Sequence, residues 1–191
     1  MIFALSRQNA NATTVGRLRA AIPSPWGAGM TEASTVKLTS SGLRKLHSFW
    51  VEKRQPDRLP GQRDIDLFTF PDLLPWIILH DVINVGGRRR FRIRMEGTEV
   101  TKLFGTHRTG KWLEEVFTPR DAKRIHQSYE TVADTREPRI WQTHATLPSG
   151  EVLYYKRLLM PLASDGSTVD RLFGMLEFER LEGTARTAST R

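Results

Sequence analysis

The feature that most restricts the fold of this sequence is a Gly86-Gly87 turn between two segments with β-strand character. Two adjacent glycines can both adopt the positive φ angles that a tight hairpin requires. Residues 76–84 are rich in aromatic and β-branched side chains, and residues 90–96 alternate apolar and charged side chains. The apolar members of this alternation are Phe91, Ile93 and Met95. The pattern predicts an antiparallel hairpin whose second strand buries one face.

Helices are predicted after this hairpin, and three more strands after the helices. Residues 98–104 have apolar side chains at helical spacing and are followed by Gly105, a typical helix C-cap. Thr118 can cap a further helix that begins at Pro119 and extends to about residue 135. The later strands are predicted at residues 139–147, 151–162 and 169–179. This order predicts an α+β domain with short helices between its second and third strands.

An amphipathic helix is predicted before the sheet, over residues 39–54, with Ser40 or Ser41 as its N-cap. Its apolar face consists of Leu43, Leu46, Phe49 and Trp50. Such a face either packs on the sheet of its own chain or contacts another protein. We take homodimerisation through these four residues as a hypothesis, with packing on the same chain as its alternative.

The composition argues against most enzyme and metal chemistry. The chain has no cysteine, which excludes disulfides, thiolate metal sites and cysteine nucleophiles. None of the five histidines lies three or four residues from another, so none forms a metal-binding pair on one helix face. Nucleophile-elbow, P-loop and dinucleotide-binding motifs are missing. We therefore predict no catalytic residue, no metal and a function other than catalysis.

The positive charge of the chain is spread too thinly to indicate nucleic-acid binding. The formal net charge is +8, but residues 35–180 hold 24 Lys and Arg against 19 Asp and Glu. One dense group, at residues 88–94, could contact phosphates, yet alternate members of a strand also point to solvent. Nucleic acid is therefore not the expected partner.

The two ends of the chain are predicted to lie outside the folded domain. Residues 1–38 are interpreted as a flexible leader, residues 39–180 as the domain and residues 181–191 as a flexible tail. Met30 is an alternative start, so the sequence leaves open whether residues 1–29 belong to the native protein. No run approaches the roughly 18 apolar residues of a membrane span. We therefore expect no membrane span and a cytoplasmic location.

A family resemblance is carried by the segment from the second predicted strand through the first short helices. Its matching positions are Arg94, Gly97, Thr98, Phe104, Gly105, Thr109 and Gly110. With their spacing, these residues resemble a PAS domain family found as small stand-alone bacterial proteins, over about residues 43–180. The resemblance implies a five-stranded antiparallel sheet that cradles a small pocket under its helices. In local terms, Gly97 ends a strand, Thr98 can cap the following helix, and Gly105 and Gly110 separate short helices.

Bulky side chains on the elements that flank such a pocket are the candidate ligand contacts. They are Phe104, Trp112, His126, Tyr129, Trp141, Tyr155 and Met175. The alternative for each aromatic residue is ordinary core packing. Among them, His126 falls on the long middle helix that carries the iron ligand in haem-binding PAS domains, but no haem-specific neighbour accompanies it. The sequence leaves the identity of any cofactor unknown.

The resemblance implies a sensory or interaction module rather than an enzyme. We therefore expect a small ligand, a protein partner or both, with signalling through contacts to a second copy or to an unidentified signalling protein. One alternative is an α+β cone with a pocket enzyme, similar to ketosteroid isomerase. Another is a basic nucleic-acid adaptor, which would require steeply salt-dependent binding.

Overall fold

A computed structural model describes residues 31–32, 40–146 and 152–178. Most of the predicted leader, the whole predicted tail and residues 147–151 lie outside the described residues. The proposed domain boundaries therefore stay predictions, except that residues 31–32 form a short strand against the sheet. In the part of the chain that is described, no helix combines the length and apolar character that crossing a membrane requires.

Five long strands form the predicted antiparallel sheet, and the two-residue strand lies at one edge of it. The strands are β1 (Thr31–Glu32), β2 (Ile77–Val85), β3 (Arg88–Glu96), β4 (Arg139–Thr146), β5 (Val152–Leu162) and β6 (Arg171–Phe178). Their spatial order is β1-β4-β5-β6-β2-β3. Gly86 and Gly87 have φ angles of 57° and 77° in the β2–β3 turn, which confirms the hairpin inferred from the glycine pair.

Helices precede the sheet and fill the connection between β3 and β4, as predicted. They are α1 (Ser41–Lys53), α2 (Thr98–Phe104), α3 (Leu113–Val116) and α4 (Pro119–Thr135). Ser40 caps α1 by accepting a hydrogen bond from the Leu43 amide at 3.2 Å. Thr118 caps α4 by accepting from the Asp121 amide, with Pro119 in the first turn. Three short 3-10 turns, Gln62–Asp64, Leu67–Thr69 and Leu74–Trp76, connect α1 to β2.

The sheet has a hydrophobic cluster on each face, and α1 covers one of them. Leu43, Leu46 and Trp50 are at most 1% exposed and pack with side chains of β2, β5 and β6. Phe49 is partly buried and makes an edge contact with Phe70, with ring centroids 4.9 Å apart. Packing on the same chain, the alternative given for this helix, is thus what the structure shows. Three of the four predicted dimer contacts are not available to a second copy in the folded chain.

A bulge in the β2–β3 ladder changes which side chains of β3 face inward. The pairing shifts between Leu79, opposite Met95, and His80, opposite Ile93. As a result Met95 packs with the cluster under α1, whereas Phe91 and Ile93 belong to the cluster under α2 to α4. The simple alternation predicted for residues 90–96 is therefore wrong at its end, because the bulge inserts one residue.

Candidate ligand-binding site

The helix-covered face of the sheet contains a group of buried polar side chains among its apolar ones. Strand alternation places two of them there: His80 lies between Ile78 and Val82 on β2, and Arg157 lies between Tyr155 and Leu159 on β5. The bulge places Glu96 opposite Ile78, on the same face. The polar cluster consists of His80, Glu96, Arg108, Ser128, Tyr129 and Arg157.

Tyr129 lies at the centre of the polar cluster. It projects from the buried face of α4, and its ring makes edge contacts with His80 and Phe91 at centroid distances of 5.0 and 5.2 Å. Its hydroxyl lies 3.4 Å from Nε2 of His80. Burial raises the pKa of Tyr129, while the positive charge of Arg157 acts in the opposite direction. The phenol therefore stays protonated and can donate a hydrogen bond to His80.

His80 is a neutral imidazole with one unfilled hydrogen-bonding position. It is 2% exposed, and burial lowers its pKa to about 3, helped by the positive charges of Arg108 and Arg157. A hydroxyl that donates to Nε2 leaves the imidazole proton on Nδ1. Nδ1 is buried and has no hydrogen-bond partner in residues 31–32, 40–146 and 152–178. His80 thus presents an unused donor inside the protein.

Arg157 is a buried cation without an acidic partner in the part of the chain that the structure describes. It is 2% exposed, and its Nη2 donates to the hydroxyl of Ser128 at 2.5 Å. Its guanidinium carbon lies 5.0 Å from the ring centroid of Tyr129 and 5.4 Å from that of Trp141. Nε of Arg157 is buried and has no hydrogen-bond partner within the described ranges. Among the described residues, no carboxylate lies within salt-bridge distance of Arg157.

Arg108 and Glu96 form the second charged element, and this one is complete. Arg108 Nε and Nη2 donate to the two carboxylate oxygens of Glu96 at 3.0 and 2.5 Å, and both side chains are at most 5% exposed. The guanidinium carbon also lies 3.6 Å from the ring centroid of Phe104. This two-point geometry satisfies both charges.

Comparison with known proteins agrees with the fold. The family model described as "PAS domain" matches residues 38–177. The chain belongs to the PAS domain family. No curated protein sequence matches it.

Three solved structures are similar to this PAS domain at low sequence identity. The PAS domain from Bordetella pertussis BvgS is 17% identical, with a TM-score of 0.45, over 73% of this chain and 89% of that one. Drosophila melanogaster Cycle PAS-B with bound glycerol is 13% identical, with a TM-score of 0.43, over 55% of this chain and 99% of that one. An RNA-binding Light-Oxygen-Voltage receptor is 10% identical, with a TM-score of 0.44, over 78% of this chain and 36% of that one.

The structure brings four of the seven predicted ligand contacts together and separates the other three. Phe104, Tyr129, Trp141 and Tyr155 are buried in the same cluster under the helices. Trp112 lies at the start of α3, and the guanidinium carbon of Arg90 lies 4.0 Å from the centroid of its ring. His126 is partly exposed, and its Nε2 lies 3.0 Å from the carbonyl oxygen of Arg89. Met175 packs on the opposite face of the sheet, under α1. Ligand contact by any of these residues stays a prediction.

The motif residues of this PAS domain have structural roles. Arg94 Nη1 lies 3.5 Å from a carboxylate oxygen of Asp81. Gly105 and Gly110 have positive φ angles of 72° and 86°, and Gly105 is the C-cap of α2 as predicted. The capping role expected of Thr98 is wrong. Gly97 occupies the N-cap position without a side-chain hydrogen bond, and Thr98 is the first helical residue.

Gly97 and Gly105 are expected to respond differently to substitution. A Cβ on Gly97 would lie 2.3 Å from backbone atoms of Leu74 and Pro75, whereas nothing lies within 4 Å of a Cβ on Gly105. We expect Gly97→Ala to lower the free energy of unfolding by about 1–3 kcal/mol. Gly105→Asn is expected to cost less than about 1 kcal/mol, because asparagine tolerates the left-handed conformation. Urea unfolding measures both, and an equal loss would contradict the steric explanation.

His80 gives the stability of the PAS domain a defined pH dependence. Its pKa is about 3 in the folded chain, against an ordinary value of 6.5. Below pH 6.5 the unfolded chain binds a proton that the folded chain excludes, so stability falls as pH falls. We expect a loss of about 1.4 kcal/mol per pH unit, hence about 2 kcal/mol between pH 6.5 and 5.

The control for this pH dependence is His80→Gln, which keeps a polar side chain but cannot titrate. The difference in unfolding free energy between the two proteins should shrink steadily from pH 6.5 to 5. A constant difference over that range would mean that His80 has the same pKa in the folded and the unfolded chain.

Of the six members of the polar cluster, only Tyr129 was among the predicted site residues. The other five are His80, Glu96, Arg108, Ser128 and Arg157. A signal existed for two of them: extending the two-residue period of their strands places His80 and Arg157 on the same face as buried apolar neighbours. No local signal identifies Arg108, which follows α2 and meets Glu96 only in the folded chain. Within the described residues, no three His, Asp or Glu side chains lie close enough to hold a metal.

Proposed function

We propose that this PAS domain is a non-catalytic sensory module that binds a small ligand between α4 and the sheet and signals through protein contacts. The observation that carries the proposal is the buried polar cluster around Tyr129, in which Nδ1 of His80 and Nε of Arg157 have no hydrogen-bond partner among the described residues. Buried polar atoms in folded proteins are nearly always hydrogen-bonded. Unfilled donors beside aromatic side chains are typical of a small-molecule site.

The position of the cluster allows a bound ligand to affect the surface of the protein through α4. Arg157 contacts α4 through Ser128, and His80 contacts it through Tyr129. On the outer side of α4, Asp134 forms an ion pair with Arg89 of β3 at 2.6 Å. A ligand that repositions Ser128 or Tyr129 therefore acts directly on a helix with exposed charged groups. In this proposal, the receiver is a second copy of the chain or another cytoplasmic signalling protein.

Native mass spectrometry of protein purified without added ligand tests the proposal. A small molecule retained by the native chain and released on denaturation would support ligand binding. The subunit number read in the same spectrum tests the homodimer. A chain that retains nothing, and that no compound of a metabolite library stabilises against heat, would contradict the ligand-sensing function.

Two tyrosine variants localise a retained ligand. Tyr129→Phe removes the hydroxyl at the centre of the cluster, and we expect it to reduce retention. Tyr154→Phe is the matched control, because Tyr154 is also buried but alternates with Tyr155 to the opposite face of β5. Equal retention by both variants would place the ligand elsewhere.

A further inference from the structure

We infer that the ligand of this PAS domain is a small monocarboxylate whose carboxylate group binds Arg157, an inference that rests on the proposed function. Arg157 is 2% exposed, and within the described part of the chain its polar contact is the hydroxyl of Ser128. A guanidinium group carries five N–H donors and is never deprotonated in a protein. A buried cation of this kind is strongly unfavourable unless an anion neutralises it.

The charges of the cluster indicate a ligand with one negative charge. Glu96 and Arg108 neutralise each other through two hydrogen bonds. His80 and Tyr129 are uncharged. Arg157 therefore leaves the cluster with one uncompensated positive charge, which a monoanion would balance. A second anionic group would have no cation to meet it inside the cluster.

The surroundings of Arg157 indicate the rest of the ligand. Its guanidinium carbon lies over the ring of Tyr129 and over that of Trp141, at 5.0 and 5.4 Å from their centroids. Nε remains free to donate, and a planar carboxylate can accept two parallel hydrogen bonds from a guanidinium. The ring of His80 also contacts Tyr129, and its Nδ1 has no partner among the described residues. These groups suit an aromatic or short aliphatic acid with an apolar body.

Matched acids and amides test whether binding requires a negative charge on the ligand. Benzoate and hexanoate are the probes, and benzamide and hexanamide are their neutral counterparts with nearly the same shape. We expect the acids to raise the melting temperature of the full chain in a concentration-dependent way and the amides to bind at least about tenfold more weakly. Equal binding of acid and amide would overturn the carboxylate inference but leave a ligand site in place.

Arg157→Met tests the residue, because methionine keeps a long side chain and removes the charge. We expect it to weaken benzoate binding about tenfold or more and to raise the melting temperature of the ligand-free protein. Arg89→Met is the control, since Arg89 pairs with Asp134 at the surface, and it should bind benzoate like the parent.

The outcomes separate this inference from the proposed function. If Arg157→Met lowers the melting temperature and leaves benzoate binding unchanged, Arg157 is a structural residue and the inference is wrong. If neither acid stabilises the protein while native mass spectrometry shows a retained neutral molecule, the inference fails and the sensory function stands. If the protein retains nothing and nothing stabilises it, both fail.

Discussion

Glu96→Leu is expected to lower the free energy of unfolding by about 3–5 kcal/mol, because it leaves the guanidinium of Arg108 buried without a carboxylate. Both side chains of this pair are at most 5% exposed, and two hydrogen bonds join them. Leucine fills most of the space of the lost side chain. The decrease in unfolding free energy therefore measures the cost of the unpaired Arg108 charge rather than the cost of a cavity. Chemical denaturation at pH 7 measures the effect.

The double variant Glu96→Leu/Arg108→Met removes both charges and is expected to recover most of the loss. Glu99→Leu is the control, because Glu99 pairs with Lys102 on the exposed side of α2. Breaking an exposed pair costs about 0–1 kcal/mol. If the double variant were no more stable than Glu96→Leu, the loss would come from packing rather than from the unpaired Arg108.

The sequence predicted the order and type of elements because local rules determine them. Gly86-Gly87 can form only a few turn types, Ser40 and Thr118 cap the helices that follow them, and Gly105 ends α2 with a positive φ. Each of these features depends on neighbours within about four residues. The predicted boundaries of α2 and α4 accordingly agree with the structure.

The interior of the candidate site was predicted less well because it depends on contacts between distant segments. The bulge between β2 and β3 exchanges the faces of the sheet on which the last side chains of β3 lie. Met95 therefore lies on the face under α1, and Glu96 lies on the other. Inward positions of the strands also hold charged side chains, such as Arg157, besides the aromatic ones. Strand alternation indicates burial even where the residue is polar.

The covering helix α1 provides the second large effect. Trp50→Ala is expected to lower the free energy of unfolding by about 3–5 kcal/mol. Trp50 is 1% exposed, and its Nε1 donates to the carbonyl oxygen of Pro161 on β5 at 2.9 Å. The substitution therefore removes a large apolar side chain from the cluster under α1 and leaves that carbonyl without its donor. Urea unfolding at constant pH gives the value.

Two further variants divide this effect into its parts. Trp50→Phe keeps an aromatic ring but not the hydrogen bond, and it should lose less than Trp50→Ala. Val51→Ala, at the adjacent and 49% exposed position, should change stability by less than about 0.5 kcal/mol. The subunit number decides between the two interpretations of α1. Because Trp50 packs within its own chain, Trp50→Ala should reduce stability without changing the number of subunits in the native mass spectrum. Dissociation of a dimer at unchanged stability would instead show that α1 is an interface between two copies.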